Sequence, residues 1–317
     1  MSAARYYLGV DGGGTKTRFA LIDEAGRVIS QAQLGTTYHP EGGLAGVRET
    51  LSRGVAQVMG AIGLGPGALA FAFFGIPAHG EDSRITPVLD AMPAPILGHA
   101  RYACDNDMVC GWAGSLACAD GINIVAGTGS IGYGQRQGVA ARAGGFGEVF
   151  SDEGSAYWIA VQGLNAWSRM SDGRMPRGPL HGLVKQALEV EHDLDVCARV
   201  YGEQACSRGE LAHLSRVVAN AAESGDAGAR AIFARAGQEL ADIADTIRRS
   251  LGFVAGEPVP LSWSGGAFSA GELLLKPFRD ALHAATPDFG LRAPRLAPHL
   301  APALYAARLA GTIVEPA

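Results

Sequence analysis

The spacing of apolar and polar positions predicts two strand-rich segments, one at the start of the chain and one near its middle. The first contains a buried strand over Tyr6–Val10, a glycine turn, and strands over Thr17–Ile22 and Val28–Leu34, which together form a β-meander. The second contains a buried strand over Ile122–Ala126 and a short strand that runs through Tyr133. The architecture of the N-terminus therefore repeats in outline.

Helical spacing follows each of these segments. From Leu44 to Ile62 apolar residues recur every three or four positions, which is typical of a helix with one face on a sheet. Further strands are predicted at Ala68–Ile76, Ala94–Leu97 and Val259–Trp263, so we expect an α/β fold. The other predicted helices are Ser155–Trp167, Leu180–Glu189, Glu210–Ala222, Ala227–Leu251, Leu273–Ala284 and Ala303–Ala310.

Composition limits the class of protein. The chain has 317 residues, of which 48% are hydrophobic and 18% are charged. This length favours two domains, and this composition is typical of a globular chain with ample core material. The net charge of -5, with scattered Lys and Arg, offers no surface for a phosphate backbone, so nucleic acid is not an expected partner. Pro294, Pro298 and Pro302 punctuate the connection to the last predicted helix.

Cysteine usage and apolar runs indicate a cytoplasmic protein without a membrane partner. The five cysteines include no C-x-x-C pair, which favours neither a disulfide framework nor a zinc or iron-sulfur site. No apolar segment of the signal-peptide type precedes Tyr6. The longest apolar run, Ala68–Ala78, is too short to span a bilayer and contains Gly75 and Pro77.

The glycine turn Asp11–Thr17 favours phosphate binding. Its three consecutive glycines allow a phosphate to approach the backbone N–H groups closely, and the hydroxyls of Thr15 and Thr17 add donors. Asp11 can hold Mg²⁺ through water, because Mg²⁺ usually keeps much of its hydration shell. The spacing is not that of a P-loop. The alternative is a glycine-rich hairpin turn with a surface carboxylate.

Two further glycine segments follow predicted strands. The Gly127–Ser130 segment is interpreted as a second phosphate-binding loop. Together with Gly132 it also matches the dinucleotide fingerprint, but that fingerprint opens a helix, whereas the residues after Gly132 predict a hairpin. Gly265 and Gly266 allow a flat ring to lie against the backbone, and the alternative there is a tight strand-to-helix turn.

Three aspartates are candidates for acid–base chemistry. Asp105 and Asp107 follow a predicted strand end and precede a helix that begins near Met108, so one carboxylate can cap the helix while the other faces a cleft. Asp152 also precedes a predicted helix, and its alternative role is that of an acidic helix cap.

In this order the segments resemble the BadF/BadG/BcrA/BcrD group of the actin-like ATPase superfamily, which includes N-acetylglucosamine kinases. The resemblance covers nearly the whole chain and is most specific over Gly144–Ala160. It implies two ribonuclease-H-like lobes around a nucleotide cleft. The lobes would be 1–118 with 299–317 and 119–298, with the C-terminal helix returning to the first.

The resemblance also implies an activity, which is ATP-dependent and Mg²⁺-dependent phosphorylation of the 6-hydroxyl of N-acetylglucosamine. Asp107 corresponds to the catalytic base, which also contacts the sugar, and Asp11 to the residue that holds Mg²⁺ through water. The positions that correspond to ATP contacts are Asp11, Gly13, Gly14, Thr15, Lys16, Thr128, Gly129, Gly265 and Gly266. The further positions that correspond to sugar contacts are Gly145, Phe146, Gly147 and Asp152.

The chain departs from this family at two positions, and alternatives stay open. Thr36–His39 offers no Asn where related kinases have one, and Phe146 stands where the animal enzymes have Trp. The alternatives are a glucosamine kinase, an ATPase activator, which needs a cysteine-held iron-sulfur cluster, and a sugar-sensing protein without catalysis. The cysteine spacing disfavours the activator, and the retained Asp11, Asp107 and Asp152 disfavour the sensor. A homodimer is left open.

Overall fold

The computed structural model describes residues 5–203, 205–296 and 300–314. The chain divides into two compact units, Met1–Ala119 with Ala293–Ala317 and Asp120–Arg292. The expected lobe boundary between 298 and 299, like Pro298 itself, lies outside the described residues.

The secondary structure alternates between strands and helices in both units. The strands are β1 (Tyr6–Asp11), β2 (Thr17–Asp23), β3 (Val28–Leu34), β4 (Leu69–Gly75), β5 (Tyr102–Asp105), β6 (Gly121–Ala126), β7 (Ser130–Arg136), β8 (Val139–Gly144), β9 (Val259–Ser264) and β10 (Phe289–Leu291). The helices are α1 (His39–Gly60), α2 (Thr86–Ala91), α3 (Pro93–Leu97), α4 (Met108–Leu116), α5 (Ala156–Ser171), α6 (Pro179–Leu188), α7 (Asp195–Tyr201), α8 (Arg208–Glu223), α9 (Ala227–Ser250), α10 (Glu272–Ala285) and α11 (Ala301–Leu309).

The first unit is built on a five-stranded sheet of order β3-β2-β1-β4-β5. The first three strands form the expected antiparallel meander, and β4 and β5 run parallel to β1. Helix α1 packs on β2 and β3 through buried Val47, Leu51 and Val55. Helix α11 packs on β1, β4 and α4. The carboxyl ends of β1, β4 and β5 therefore lie side by side at one edge of this sheet.

The second unit repeats this plan, with a five-stranded sheet of order β10-β9-β6-β7-β8. Strands β6 to β8 form an antiparallel meander, β9 pairs with β6 in parallel, and β10 pairs with β9 in parallel. Helix α9 packs on β6, β7 and β8, and it buries Ala236, Leu240 and Ile247. The predicted α/β class with two ribonuclease-H-like lobes is confirmed, as is the internal repeat.

One predicted strand is wrong. Ala94–Leu97 lies in helix α3, and the outer strand of the first sheet is β5 instead. Pro93 in the first turn suits a helix start, and Gly98 ends the helix with a left-handed backbone. A run of four apolar residues cannot distinguish a short helix from a strand by periodicity.

Across the described ranges, every helix is either too short or too polar to cross a bilayer. All five cysteines carry free thiols.

Candidate active site

The glycine hairpin between β1 and β2 forms a concave pocket in the first unit. The pocket has a volume of about 250 Å³ and is lined by Asp11, Gly12, Gly13, Gly14, Thr15, Lys16 and Arg18. Five of these residues, Asp11 and Gly13 to Lys16, are the predicted nucleotide contacts of this unit. Backbone N–H groups and two cationic side chains around one concavity suit an anion such as a phosphate chain.

Packing below the hairpin requires a glycine at position 12. The Gly12 N–H donates to the Gly75 carbonyl at 2.9 Å, which ties the hairpin to the end of β4. A Cβ on Gly12 would lie 2.5 Å from Thr37 Oγ1 and 2.6 Å from the Gly75 oxygen. The hairpin therefore cannot accept a side chain here without moving away from the sheet.

Threonine hydroxyls from the loop after β3 support the hairpin. Thr36 Oγ1 donates to the Gly13 carbonyl at 2.8 Å. Thr17 Oγ1 donates to Thr37 Oγ1 at 3.1 Å, and Thr17 is fully buried. The expectation that the Thr17 hydroxyl serves a phosphate is therefore wrong, because that hydroxyl faces the interior and is already bonded.

The candidate base Asp107 follows β5 and occupies the N-cap position of α4 without making a side-chain cap bond. The side-chain bond to the first turn comes from Asn106, whose Oδ1 accepts from the Met108 N–H at 3.1 Å. Asp105 Oδ1 accepts from the Asn106 N–H at 2.7 Å. The expectation that a carboxylate makes the side-chain cap bond is therefore wrong, although the Met108 N–H interacts with the Asp107 carboxylate and lowers its pKa.

Burial raises the pKa of both Asp107 and Asp11 toward neutral pH, and like charge adds to the rise at Asp107. Burial, the Asp11 carboxylate and Glu81 raise the pKa of Asp107 to about 7. Burial raises the pKa of Asp11 to about 6, against the opposing charge of Arg18. Asp107 and Asp11 therefore interact, and a cation beside them would favour the ionised form of both.

In the second unit, the Gly127–Ser130 loop joins β6 to β7. The Ala156 N–H donates to the Gly127 carbonyl at 2.9 Å, and the Tyr157 N–H donates to the Thr128 carbonyl at 3.3 Å. The start of α5 thus holds the loop. After the loop, β7 turns directly into β8, as the sequence predicts, so the helix that a dinucleotide fingerprint requires does not follow.

Asp152 lies against this loop and is buried, with 4% of its surface exposed. A Cβ on Gly129 would lie 2.6 Å from Asp152 Oδ2, so Gly129 and Asp152 come together. Arg208 Nη2 donates to the same oxygen at 2.8 Å, and Arg208 Nε lies 3.3 Å from Glu148 Oε2. Burial raises the pKa of Asp152, and the charge of Arg208 opposes that rise.

The alternative role of Asp152 as a helix cap is wrong. The cap of α5 is Ser155, whose Oγ accepts from the Trp158 N–H at 3.1 Å. Asp152 itself has a left-handed backbone, with φ of 58°. Its carboxylate therefore accepts from Arg208 and lies next to Gly129.

The predicted sugar-contacting residues Gly145, Phe146 and Gly147 form the turn between β8 and Asp152. The Phe146 N–H donates to Ser151 Oγ at 3.4 Å, which closes the turn. The Phe146 ring is 68% exposed and lies 5.8 Å from the Arg142 guanidinium carbon. The turn therefore presents an aromatic surface rather than burying it.

Gly265 and Gly266 follow β9 and open a short 3₁₀ helix. Gly265 has φ of 102°, and a Cβ there would lie 2.4 Å from the Ala126 carbonyl oxygen and 2.7 Å from the Gly127 nitrogen. Glycine is therefore required at position 265. The structure brings this turn together with the start of the Gly127–Ser130 loop.

Arg208 is the residue that sequence reasoning missed. Ser207 and Glu210 form a capping box, which predicts that a helix begins at Arg208. The box carries no information about Asp152, which lies 56 positions earlier in the chain.

A larger concavity of about 510 Å³ lies among α5, α7 and α8 of the second unit. Its lining is mainly apolar and aromatic and includes Tyr157, Trp167 and Tyr201. None of the predicted site residues lines it. The candidate residues of each unit lie at that unit's own glycine loop instead.

Comparisons with known proteins identify the family of this chain. A sequence model of the BadF/BadG/BcrA/BcrD ATPase family matches residues 8–307. The N-acetylmuramic acid/N-acetylglucosamine kinase of Clostridium acetobutylicum is 26% identical over 280 residues, or 88% of this chain and 90% of that protein. The N-acetyl-D-glucosamine kinase of Dictyostelium discoideum is 26% identical over 273 residues, or 82% of this chain and 84% of that protein.

A solved structure shows the same fold. It is that of a protein from Chromobacterium violaceum named as an N-acetylglucosamine kinase, with a TM-score of 0.74 and 24% identity. The match covers 95% of this chain and 99% of that one.

Proposed function

This chain belongs to the BadF/BadG/BcrA/BcrD ATPase family, and from that premise we propose that it is a kinase that phosphorylates the 6-hydroxyl of N-acetylglucosamine. Membership of an ATPase family implies the use of ATP. The two kinases from Clostridium acetobutylicum and Dictyostelium discoideum support the sugar acceptor, because each matches more than four fifths of this chain.

One observation carries the proposal. In the first unit, the Asp107 carboxylate makes no side-chain cap bond to the helix it precedes, and it interacts with Asp11, which lines the glycine pocket. A base and a phosphate-sized anion pocket on one sheet edge are the parts that phosphoryl transfer to a hydroxyl requires.

The residues of the first unit fit a phosphate chain with Mg²⁺. We assign Gly13, Gly14, Thr15 and Lys16 to the phosphates of ATP, since they line the pocket, and Asp11 to Mg²⁺ through water. Like-charge repulsion between the Asp11 and Asp107 carboxylates supports a cation there, and carboxylate oxygens are preferred Mg²⁺ ligands. When bound, Mg²⁺ would neutralise charge on phosphate oxygens.

In the second unit, we assign Thr128 and Gly129 to a further phosphate contact and Gly265 and Gly266 to adenosine. The close approach of Gly265 to Gly127 supports a shared role, because it places two glycine turns side by side. Flat backbone at such turns can lie against a purine ring.

Acceptance of the 6-hydroxyl proton is assigned to Asp107. A half-buried carboxylate whose pKa is raised to about 7 is well matched to this task. Asp152 would hold and orient ring hydroxyls, and Gly145, Phe146 and Gly147 would line the sugar.

We also propose a cytoplasmic location, and a homodimer stays a prediction.

The test is a coupled assay of ADP formation with a panel of hexoses and amino sugars, followed by NMR of the product. We expect turnover that depends on N-acetylglucosamine and on Mg²⁺, with the phosphate on O6. ADP formation that is the same with and without every sugar of the panel would refute the proposed function.

A further inference from the structure

Asn106, which stands between the two aspartates after β5, uses both ends of its amide inside the protein. Its Oδ1 accepts from the Met108 N–H at 3.1 Å, and its Nδ2 donates to the His79 carbonyl at 3.1 Å. The residue is buried, with 3% of its surface exposed. Asn106 therefore joins the start of α4, which carries Asp107, to a second part of the first unit.

This second part is the β4 loop, residues 76–82, which follows the carboxyl end of β4. The Ile76 N–H donates to the Asp105 carbonyl at 2.8 Å, so the loop begins beside the end of β5. Ala78 has a left-handed backbone with φ of 61°, which costs energy for a residue with a Cβ. Contacts from outside the loop must hold this turn, and the bond to the His79 carbonyl is one of them.

The β4 loop contacts both parts of the proposed chemistry in the first unit. A Cβ on Gly12 would lie 2.6 Å from Pro77 Cδ, so the loop lies directly against the glycine hairpin. Further along the loop, the Glu81 carboxylate raises the pKa of Asp107. A constraint on this loop therefore acts on the phosphate pocket and on the base together.

We infer that Asn106 is a positioning residue for the proposed phosphoryl transfer, because it anchors the β4 loop to the start of α4 and so fixes Asp107 relative to the glycine hairpin. The inference rests on the proposed function and deepens it, since it assigns Asn106 an effect on kcat and none on sugar binding. An Asn beside a base is also a candidate ligand of a sugar hydroxyl. Here the amide is buried, and both of its polar atoms are bonded within the protein.

The expected effect is large because transfer depends steeply on the alignment of base, hydroxyl and phosphate. A displacement of about 1 Å can lower the rate by about 10²-fold. Without the amide of Asn106, the His79 carbonyl loses its donor, and the β4 loop can relax the left-handed backbone at Ala78. The same side chain closes the first turn of α4, so Asp107 loses its support as well.

The experiment measures kcat and the KM values for N-acetylglucosamine and ATP in the parent and three variants of the full chain. Asn106→Ala removes both bonds. Asn106→Ser keeps an oxygen that can accept from the Met108 N–H but is too short to reach the His79 carbonyl. Arg101→Met is the matched control, because Arg101 Nη2 donates to the Leu69 carbonyl at 2.9 Å, at the opposite end of β4. The urea midpoint and the amide hydrogen exchange of residues 76–82 are recorded for each protein.

We expect kcat to fall by about tenfold or more in both Asn106 variants, while both KM values stay within about threefold of the parent. Amide exchange in the β4 loop should become faster in both. Arg101→Met should lower the urea midpoint as well, but it should keep kcat and the exchange of the β4 loop at the parental level.

Three kinetic outcomes overturn the inference. A raised sugar KM with an unchanged kcat would make Asn106 a sugar ligand. A parental kcat in Asn106→Ser would show that the bond to the β4 loop is not needed. An equal loss of kcat in Arg101→Met would show that reduced stability alone explains the effect.

A second variant of the β4 loop keeps the inference testable if neither Asn106 variant folds. Thr86→Val removes the Gly80 N–H to Thr86 Oγ1 bond at 3.1 Å, which holds the same loop from α2. It should lower kcat with little change in KM, and an unchanged kcat would overturn the inference. A parent that forms no ADP in response to sugar refutes the proposed function itself, which separates that failure from failure of the positioning argument.

Discussion

Replacement of Asp107 by Asn is the sharpest test of the proposed chemistry. The two side chains have the same shape, so Asn preserves packing and can still bond a sugar hydroxyl, but it cannot accept the proton. The helix start should survive, because the side-chain bond to its first turn comes from Asn106. The perturbation is therefore confined to one proton acceptor.

The substitution is expected to lower kcat and to leave the stability of the fold unchanged or higher. Loss of a general base costs about 10²- to 10⁴-fold in kcat, which is about 3–5 kcal/mol of activation free energy. Burial and the neighbouring carboxylates raise the pKa of Asp107 from 3.8 to about 7. The folded state thus disfavours ionised Asp107 by up to about 4 kcal/mol. Since a raised acid pKa removes stability as pH rises above the unfolded value, Asp107→Asn should be at least as stable as the parent at pH 8.

The assay combines steady-state kinetics with urea unfolding of the metal-free protein. The KM for each substrate should stay near that of the parent while kcat falls. Asp105→Asn is the control, because it removes a carboxylate two positions away that accepts from the Asn106 N–H, and its kcat should stay within about threefold of the parent. The reasoning is refuted if Asp107→Asn turns over normally, or if Asp105→Asn is the inactive variant.

Three further predictions can be checked in the same way. Asp11→Ala should abolish the Mg²⁺ dependence of turnover together with most of the activity, and a Mg²⁺ titration that matches the parent in shape and amplitude would contradict the assignment. Asp152→Asn should raise the sugar KM by about tenfold with a smaller effect on the KM for ATP, and the reverse pattern would move Asp152 to the nucleotide. Hydrogen bonds from Lys185 and His181 hold the pKa of Asp193 well below its usual range, so they stabilise the fold above about pH 4, and this stabilisation is lost as pH falls toward the depressed value. The difference in urea midpoint between Asp193→Asn and the parent should therefore shrink in acid, and a constant difference from pH 7 to pH 3 would show that Asp193 contributes no such stabilisation.

Local signals made the core of each sheet predictable. Alternation of apolar residues and glycine turns marked β1 to β3 closely, and the same signals marked β6 and β7. The apolar alternation and the turn glycines both lie within a few residues of the strand that they specify. The glycine loops of the candidate site were found for the same reason.

The errors arose where tertiary contacts decide the outcome. The spacing around Thr17 does not reveal that its hydroxyl is buried against Thr37. The Asp105–Asp107 segment does not reveal that Asn106 bonds the first turn of the helix, because Asn106 is held by a bond from its Nδ2 to the distant His79 carbonyl. The Arg208 contact to Asp152 joins residues 56 positions apart, and no local pattern encodes such a pair. Ion pairs between residues far apart in the chain are therefore the part of the site that the sequence does not predict.

The packing of α11 on β1 and β4 has a consequence for synthesis on the ribosome. The Tyr305 ring makes edge contacts with Phe73 and Trp112 at centroid distances of 4.9 and 5.6 Å, and the Tyr7 and Thr312 hydroxyls lie 2.6 Å apart. These partners lie on either side of the second unit in the sequence, whereas Asp120–Arg292 is contiguous. The second unit can thus mature while the first still exposes the apolar surface that α11 covers. Nascent chains halted before residue 300 should recruit chaperones through that uncovered sheet.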